Sequence, residues 1–143
     1  NVSPLGMKIS QAGTLSGNPL AMAAGYEQLQ VLSEDGTYDR LEAVASRLEE
    51  GMRDNIQKLG LPYPVNRVGG MLCMFFTEGP VECFADLAEV DVERFARYFW
   101  ANIERGIYLA PSQYECMFPS VAHSDEDVEK TLDIHYETLK AVH

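Results

Sequence analysis

The stretch QAGTLSGNPLAMAAG occupies residues 11–25 and is the most informative part of this 143-residue chain. Its glycines let the backbone approach a ligand closely, and the Thr14 hydroxyl with nearby amides can hold a phosphate. Tight turns before capped helices are common, so this pattern alone favours a structural turn. Asn18 is a good helix cap and Pro19 suits a first helical turn, which predicts a helix from about residue 19 to residue 32.

The next part of the chain combines a long helix with two short strands. Apolar residues recur at steps of three and four from residue 38 to residue 59, which predicts an amphipathic helix. Apolar runs at residues 65–68 and 71–76 flank two glycines and predict two strands. Residues 78–90 are acidic and mixed in character, and we predict a loop there.

The last third of the chain carries two further helix starts. Asp91 predicts the cap of a third helix, and Ser124 with Asp127 predicts a capping box for a fourth. We also predict short strands at residues 107–110 and 120–123. The fourth helix has a candidate buried face made of Val128, Leu132, His135 and Leu139.

These elements predict an α+β fold in which helices pack on a short, mostly antiparallel sheet, preceded by a helical arm. We predict a boundary between residues 1–35 and residues 36–143. Residues 1–35 are irregular up to the start of the predicted helix, and they do not contain enough helices and strands to form a domain by themselves.

Composition excludes several classes of function. The formal net charge is −11, with 22 acidic against 11 basic residues, so nucleic acid is not an expected partner. No apolar run reaches the roughly 20 residues that cross a bilayer. The histidines lack metal-ligand spacing, so we predict no metal site. The first residue is Asn1 and no secretory signal follows it, which suggests a piece of a longer protein.

Cysteine usage points to a reducing compartment. Cys73, Cys83 and Cys116 cannot all pair within one chain, and none has the C-x-x-C spacing of a zinc or redox site. A cytoplasmic location is the simplest expectation.

The run G-T-L-S-G-N-P-L-A-M-A-A-G resembles the segment that class III, fold-type I pyridoxal-phosphate aminotransferases carry after their catalytic lysine region. The blocks D-V-E-R-F at residues 91–95, Y-L-A-P-S at residues 108–112 and the pair Tyr114-Glu115 are similar to the glutamate-1-semialdehyde 2,1-aminomutases within that family. The resemblance covers the whole chain and implies the carboxy-terminal part of such an enzyme.

This resemblance implies a fold and a set of roles. Residues 1–35 would end the large cofactor-binding domain and include a bridging helix, and residues 36–143 would form the carboxy-terminal small domain. Gly13 and Thr14 would contact the pyridoxal 5'-phosphate of the neighbouring subunit in a homodimer. Glu115 would lie near the cofactor and act in catalysis.

The implied reaction is the isomerisation of glutamate 1-semialdehyde to 5-aminolevulinate, a step of tetrapyrrole synthesis. The family's Schiff-base lysine has no counterpart here, because none of the four lysines has its Gly-rich context. We therefore expect the isolated chain to be inactive. Two alternatives stay open, namely part of a class III ω-aminotransferase and a non-catalytic folding or dimer-contact domain.

Two positions depart from the family pattern. Cys116-Met117 stands where the aminomutases usually have Ala-Gly, and Leu72-Cys73 stands where Phe-Gly is common. Methionine adopts a positive φ less readily than glycine, so the loop after Glu115 is expected to follow a different path.

Overall fold

The computed structural model describes residues 13–143 of the chain, which group into two compact units. The first unit ends at Thr37, and the second runs from Tyr38 to His143. The helices are α1 (Pro19–Leu32), α2 (Thr37–Lys58), α3 (Val92–Glu104) and α4 (Asp125–Val142), and the strands are β1 (Val65–Val68) and β2 (Met71–Met74). The helix positions predicted from the sequence are confirmed to within a residue or two.

Helix α1 has no buried residue, although most of its side chains are apolar. Leu20, Met22, Tyr26 and Leu29 all expose more than half of their surface. At its carboxyl end the Ser33 hydroxyl donates to the Leu29 carbonyl at 2.7 Å, which closes the last turn. The stability of α1 within the first unit therefore depends on its caps rather than on burial of an apolar face.

Strands β1 and β2 form an antiparallel hairpin that pairs Val65 with Met74 and Val68 with Met71. Gly69 begins the connection with a φ of 54°, a conformation that glycine adopts without strain. The second strand ends at Met74, two residues earlier than predicted. Phe75 donates to the Pro64 carbonyl at 3.1 Å, but Pro64 has no N–H to return a bond, so the regular ladder stops there.

The core of the second unit lies between this hairpin and the three helices α2, α3 and α4. Phe76 follows β2 and is almost fully buried, with ring centroids 4.7 Å from Tyr63 and 5.3 Å from Tyr98. The other buried apolar residues of this cluster are Met52, Ile56, Leu61, Val65, Leu72, Met74 and Leu139. Two of them, Leu72 and Met74, alternate with Cys73 along β2.

An ion-pair network joins β1 to α2. The Arg67 guanidinium donates to Glu49 at 2.6 Å and to Glu42 at 2.8 Å. The hydrogen bond from Arg67 is the main reason that the pKa of Glu49 lies below its usual value. Because Arg67 and Glu49 are both largely covered, this pair constrains the hairpin more firmly than an exposed pair would.

The strands predicted at residues 107–110 and 120–123 were wrong, since neither segment contains a strand. Among residues 13–143, the second edge of β2 is paired at one point only, where Leu72 and Met117 exchange hydrogen bonds at 3.1 Å and 2.8 Å. In the first of these segments Tyr108 is 81% exposed, whereas Leu109 packs against the core through its side chain and without strand pairing. An apolar run becomes a strand only where its backbone pairs with a strand edge, and neither segment makes such a pairing.

The segment between β2 and α3 is a loop whose two ends lie next to each other. The Asp91 amide donates to the Phe76 carbonyl at 2.8 Å, which closes the base of a loop over residues 77–90. The loop contains one 3-10 turn (Phe84–Leu87) that the sequence did not predict. Asp86 caps that turn by accepting from the amides of Glu82 and Cys83 at 2.8 Å and 2.9 Å. These amide donors lower the pKa of Asp86.

Within residues 13–143, no helix has both the length and the apolar character that crossing a membrane requires.

Candidate functional site

Gly13 and Thr14 lie in a double turn that leads into α1. The Ser16 amide donates to the Gly13 carbonyl and the Asn18 amide donates to the Leu15 carbonyl, both at 3.0 Å. A Cβ atom at residue 13 would come within 2.6 Å of the Ser16 Oγ, so a larger residue there would require the Ser16 side chain to rotate away. The double turn holds Thr14 at the surface of the first unit.

Asn18 satisfies the free amides at the start of α1. Its Oδ1 accepts from the Leu20 amide at 3.0 Å and from the Ala21 amide at 3.2 Å, and Pro19 has no amide hydrogen to donate. The helix terminus is therefore already occupied by its own cap. A phosphate at this turn would have to use donors that precede the helix.

Thr14 supplies one such donor. Its side chain is exposed, and its hydroxyl has no hydrogen-bond partner among residues 13–143. A hydroxyl beside main-chain amides in a glycine-containing turn is a donor set that suits a phosphate oxygen. Gly13 and Thr14 thus share one turn of the first unit, and the third predicted site residue, Glu115, belongs to the second unit.

The loop that carries Glu115 is anchored on both sides of it. Before Glu115, the buried Gln113 accepts from the Phe76 amide through its Oε1 at 3.2 Å. After it, Met117 pairs with Leu72 through two backbone hydrogen bonds. The Glu115 amide itself donates to the Ser112 carbonyl at 3.2 Å. The backbone at Glu115 is therefore held against the end of β2, although the loop has no regular structure.

The Glu115 side chain is exposed and makes no ion pair or hydrogen bond with residues 13–143. Its carboxylate is thus an uncompensated charge on a supported backbone. Such a group can accept a hydrogen bond or a proton from a ligand without breaking an internal contact.

Met117 stands where the aminomutases usually have glycine, but its backbone does not have a positive φ. No residue other than glycine has a positive φ within the described part of the chain. Instead Met117 takes an extended conformation that lets it pair with β2.

The thiol of Cys73 faces the same loop. It donates to the Gln113 carbonyl at 3.4 Å and lies 3.7 Å from the Glu115 carbonyl. Burial raises the pKa of Cys73 to about 12, and the neighbouring Cys116 adds to that rise.

His135 of α4 is the other buried polar group near this region. Asn55 of α2 donates through its Nδ2 to the Leu132 carbonyl at 2.8 Å and to the His135 Nδ1 at 3.2 Å. The first bond orients the amide, so Nδ1 must be the acceptor of the second. Burial lowers the pKa of His135 to about 4, so the ring is neutral at pH 7 and its proton is on Nε2.

The Nε2 of His135 is buried and has no partner within residues 13–143. His135 is among the residues that line a cavity of about 440 Å³, whose mainly apolar walls come from the three helices α2, α3 and α4, from Leu72 of β2 and from the loop between α3 and α4. A hydrogen-bond acceptor in this cavity would meet a neutral N–H donor. The sequence predicted that His135 lies on the buried face of α4, but it gave no signal for its partner Asn55.

No group of His, Cys, Asp and Glu side chains in residues 13–143 is arranged to hold a metal ion.

The fold matches those of known enzymes. A transaminase with pyridoxal phosphate bound superimposes with a TM-score of 0.75 at 18% identity, over 96% of this chain and 30% of that chain. A glutamate-1-semialdehyde-aminomutase from Pseudomonas aeruginosa PAO1 superimposes with a TM-score of 0.78 at 25% identity, over 96% of this chain and 31% of that chain. The structure is thus that of a small domain of the pyridoxal-phosphate aminotransferase fold, as the sequence predicted.

Sequence similarity identifies the family within this fold class. The chain is 54% identical over all 143 residues to the glutamate-1-semialdehyde 2,1-aminomutase of Chlorobium limicola. It therefore belongs to the glutamate-1-semialdehyde 2,1-aminomutase family, and the resemblance found in the sequence motifs is confirmed. The chain spans about a third of the length of the curated relatives it matches. No protein-family model matches it.

His135 makes folding stability depend on pH. Its pKa is about 6.5 in the unfolded chain and about 4 in the folded one, so the unfolded state binds the extra proton as the pH falls between these values. We expect the free energy of unfolding to decrease from pH 6.5 to pH 4 by about 3 kcal/mol from this residue. Urea titrations at several pH values measure this slope.

The matched variant is His135→Leu, which should flatten the slope over this window. The acidic residues are common to both proteins, so they do not contribute to the difference between the two slopes. An unchanged slope in His135→Leu would show that His135 is protonated normally in the folded state.

Proposed function

We propose that this chain is part of an enzyme that isomerises glutamate 1-semialdehyde to 5-aminolevulinate in tetrapyrrole synthesis. The observation that supports this most strongly is the 54% identity over the entire chain to an aminomutase of that name. By this proposal residues 1–35 end the large domain and form a bridge, and residues 36–143 form the small domain. The enzyme would be a cytoplasmic homodimer.

The first role proposed for this chain is to hold the cofactor phosphate of the partner subunit. Support comes from the turn at Gly13 and Thr14, which presents an exposed hydroxyl whose oxygen is free to donate its proton. The turn carries no acidic side chain that would repel a phosphate. Bound pyridoxal phosphate would supply the electron sink for the amino transfers. Thr14 would fix the phosphate end of the cofactor, and Asn18 would keep the turn in shape.

The second proposed role is that of Glu115 toward the substrate. An exposed carboxylate on an anchored loop can accept hydrogen bonds from an ammonium group and can hold a proton during its transfer. Gln113 and Met117 would limit the movement of the loop, so that the Glu115 carboxylate returns to the same place in each cycle.

A class III ω-aminotransferase is the second candidate, since the fold is shared with a pyridoxal-phosphate transaminase. The D-V-E-R-F and Y-L-A-P-S blocks favour the aminomutase. The products discriminate between the two, because an aminomutase returns the nitrogen to the same carbon skeleton and a transaminase needs a second carbonyl substrate.

The chain alone should not form 5-aminolevulinate. None of its four lysines has the Gly-rich context of the lysine that binds the cofactor covalently in this family, so the group that carries the reaction is missing. The test compares the purified chain with a fusion in which this sequence replaces the matching third of the Chlorobium limicola aminomutase. We expect activity from the fusion only. Turnover by the chain alone, or a folded fusion that transaminates without isomerising, would contradict the proposal.

Thr14→Val in the same fusion should weaken the retention of pyridoxal phosphate about tenfold or more. The substitution keeps the shape but removes one hydrogen bond to a charged group, worth about 1.5 to 3 kcal/mol. Cofactor titration followed by absorbance measures the change. Thr14→Ser keeps the hydroxyl and should preserve most of the affinity, and Ser16→Ala removes a hydroxyl from the same turn as a control. If Thr14→Val and the parent fusion bind pyridoxal phosphate with equal affinity, Thr14 does not contact the phosphate and only helps to form the turn.

Glu115→Gln should slow turnover at least tenfold and leave the melting temperature within a degree or two of the parent fusion, on the order expected for losing a proton-transfer group on the surface. The control is Glu89→Gln, which neutralises an exposed acid in the loop over residues 77–90. Normal kinetics in Glu115→Gln would refute the catalytic role. A large fall in melting temperature would identify Glu115 as a structural residue.

A further inference from the structure

Leu72 and Met117 form a bridge beside which two cysteines lie, Cys73 on one segment and Cys116 on the other. Both backbone hydrogen bonds between Leu72 and Met117 are made, so they form a hydrogen-bonded antiparallel pair. The bridge is isolated, and Cys73 and Cys116 are the residues that adjoin it, one on each segment. In a regular antiparallel ladder two residues so placed would face each other as a pair without hydrogen bonds, with Cα atoms about 4.5 Å apart. Disulfides span Cα distances of about 4.4 to 6.8 Å. A spacing near that of a regular pair would bring these two residues within reach of one bond.

The side chain of Cys73 is turned toward the segment that carries Cys116. Its sulfur lies 3.7 Å from the carbonyl oxygen of Glu115, the residue before Cys116. The two sulfur groups are also near enough to interact, since Cys116 adds to the rise in the pKa of Cys73 that burial causes.

The two thiols differ in their access to solvent. Cys116 is exposed, whereas Cys73 has only 7% of its surface exposed. A small oxidant therefore meets Cys116 first, and Cys73 is positioned to react with the product. Cys83 is also exposed, but it lies on the loop over residues 77–90 and provides an internal control.

We propose that Cys73 and Cys116 form a reversible disulfide, a site of covalent modification beside Glu115. The oxidant is a small-molecule disulfide. The Cys116 sulfur attacks one of its sulfur atoms, a mixed disulfide forms, and one small thiol leaves with the proton. The Cys73 sulfur then loses its proton and attacks the Cys116 sulfur, and the second small thiol leaves. Two protein thiols are oxidised by two electrons and one disulfide molecule is reduced to two thiols.

The second step is the slow one. Its nucleophile is the Cys73 thiolate, whose formation is opposed by burial, which raises the pKa of Cys73 to about 12. Closure of the mixed disulfide should therefore accelerate about tenfold for each pH unit between 7 and 9. Bonding would tie the backbone at Cys116 to β2 and reduce the freedom of the neighbouring Glu115.

The test uses the 143-residue chain with Cys83→Ser, which leaves only the two cysteines of interest. The folded protein is incubated with oxidised glutathione, the remaining thiols are alkylated after denaturation, and intact mass is measured over time. We expect a glutathione adduct that converts to a species lacking two hydrogens, with faster conversion at higher pH. Peptide mapping should find the Cys73–Cys116 link, and dithiothreitol should reverse it.

Two further proteins complete the experiment. Cys116→Ser in the chain that retains Cys83 should give only a mixed disulfide on Cys83, and the unsubstituted chain should form the Cys73–Cys116 link at least tenfold more than either link to Cys83. Far-ultraviolet circular dichroism confirms that each variant is folded. A mixed disulfide on Cys116 that never closes in the folded Cys83→Ser chain would overturn the proposal, and so would equal amounts of the three links in the unsubstituted chain.

Discussion

A hairpin of two four-residue strands is not stable in water by itself, so β1 and β2 must be covered by other elements. Here the cover comes from α2, α3 and α4, and Phe76 lies where their side chains meet the end of β2. Contacts of Phe76 also locate the loops, because its amide donates to Gln113 and its carbonyl accepts from Asp91. One buried residue thus positions the core, the start of α3 and the segment that carries Glu115.

The helices were predictable from the sequence because their start signals are local. Asn18, Asp91 and Ser124 each accept from an amide two or three residues ahead, and such a pattern can be read without knowledge of the rest of the chain. The strands at residues 107–110 and 120–123 were mispredicted because pairing depends on a distant edge. Their apolar character was visible in the sequence, but the limited use of the β2 edge was not.

In the candidate site too, the local features were predictable from the sequence and the contacts between distant residues were not. The motif around Gly13 and Thr14 predicted a turn before a capped helix, and the structure has an exposed turn there. The support of Glu115 by Gln113 was not predictable, because a glutamine in a polar loop gives no sign of burial. The two departures from the family pattern, Leu72-Cys73 and Cys116-Met117, lie far apart in the sequence and meet in the fold at the bridge between Leu72 and Met117. Two differences that look unrelated in the sequence can therefore belong to a single contact in the structure.

The bond between the Asp91 amide and the Phe76 carbonyl has a consequence for evolution and for engineering. Because the loop over residues 77–90 is closed at its base, its length can change without moving β2 or α3. The entropy of loop closure grows slowly, by about 0.6 kcal/mol for each doubling of length. This part of the chain can therefore accept insertions, such as a peptide tag or an added binding module, while the loop of Glu115 on the other side of Phe76 keeps its position.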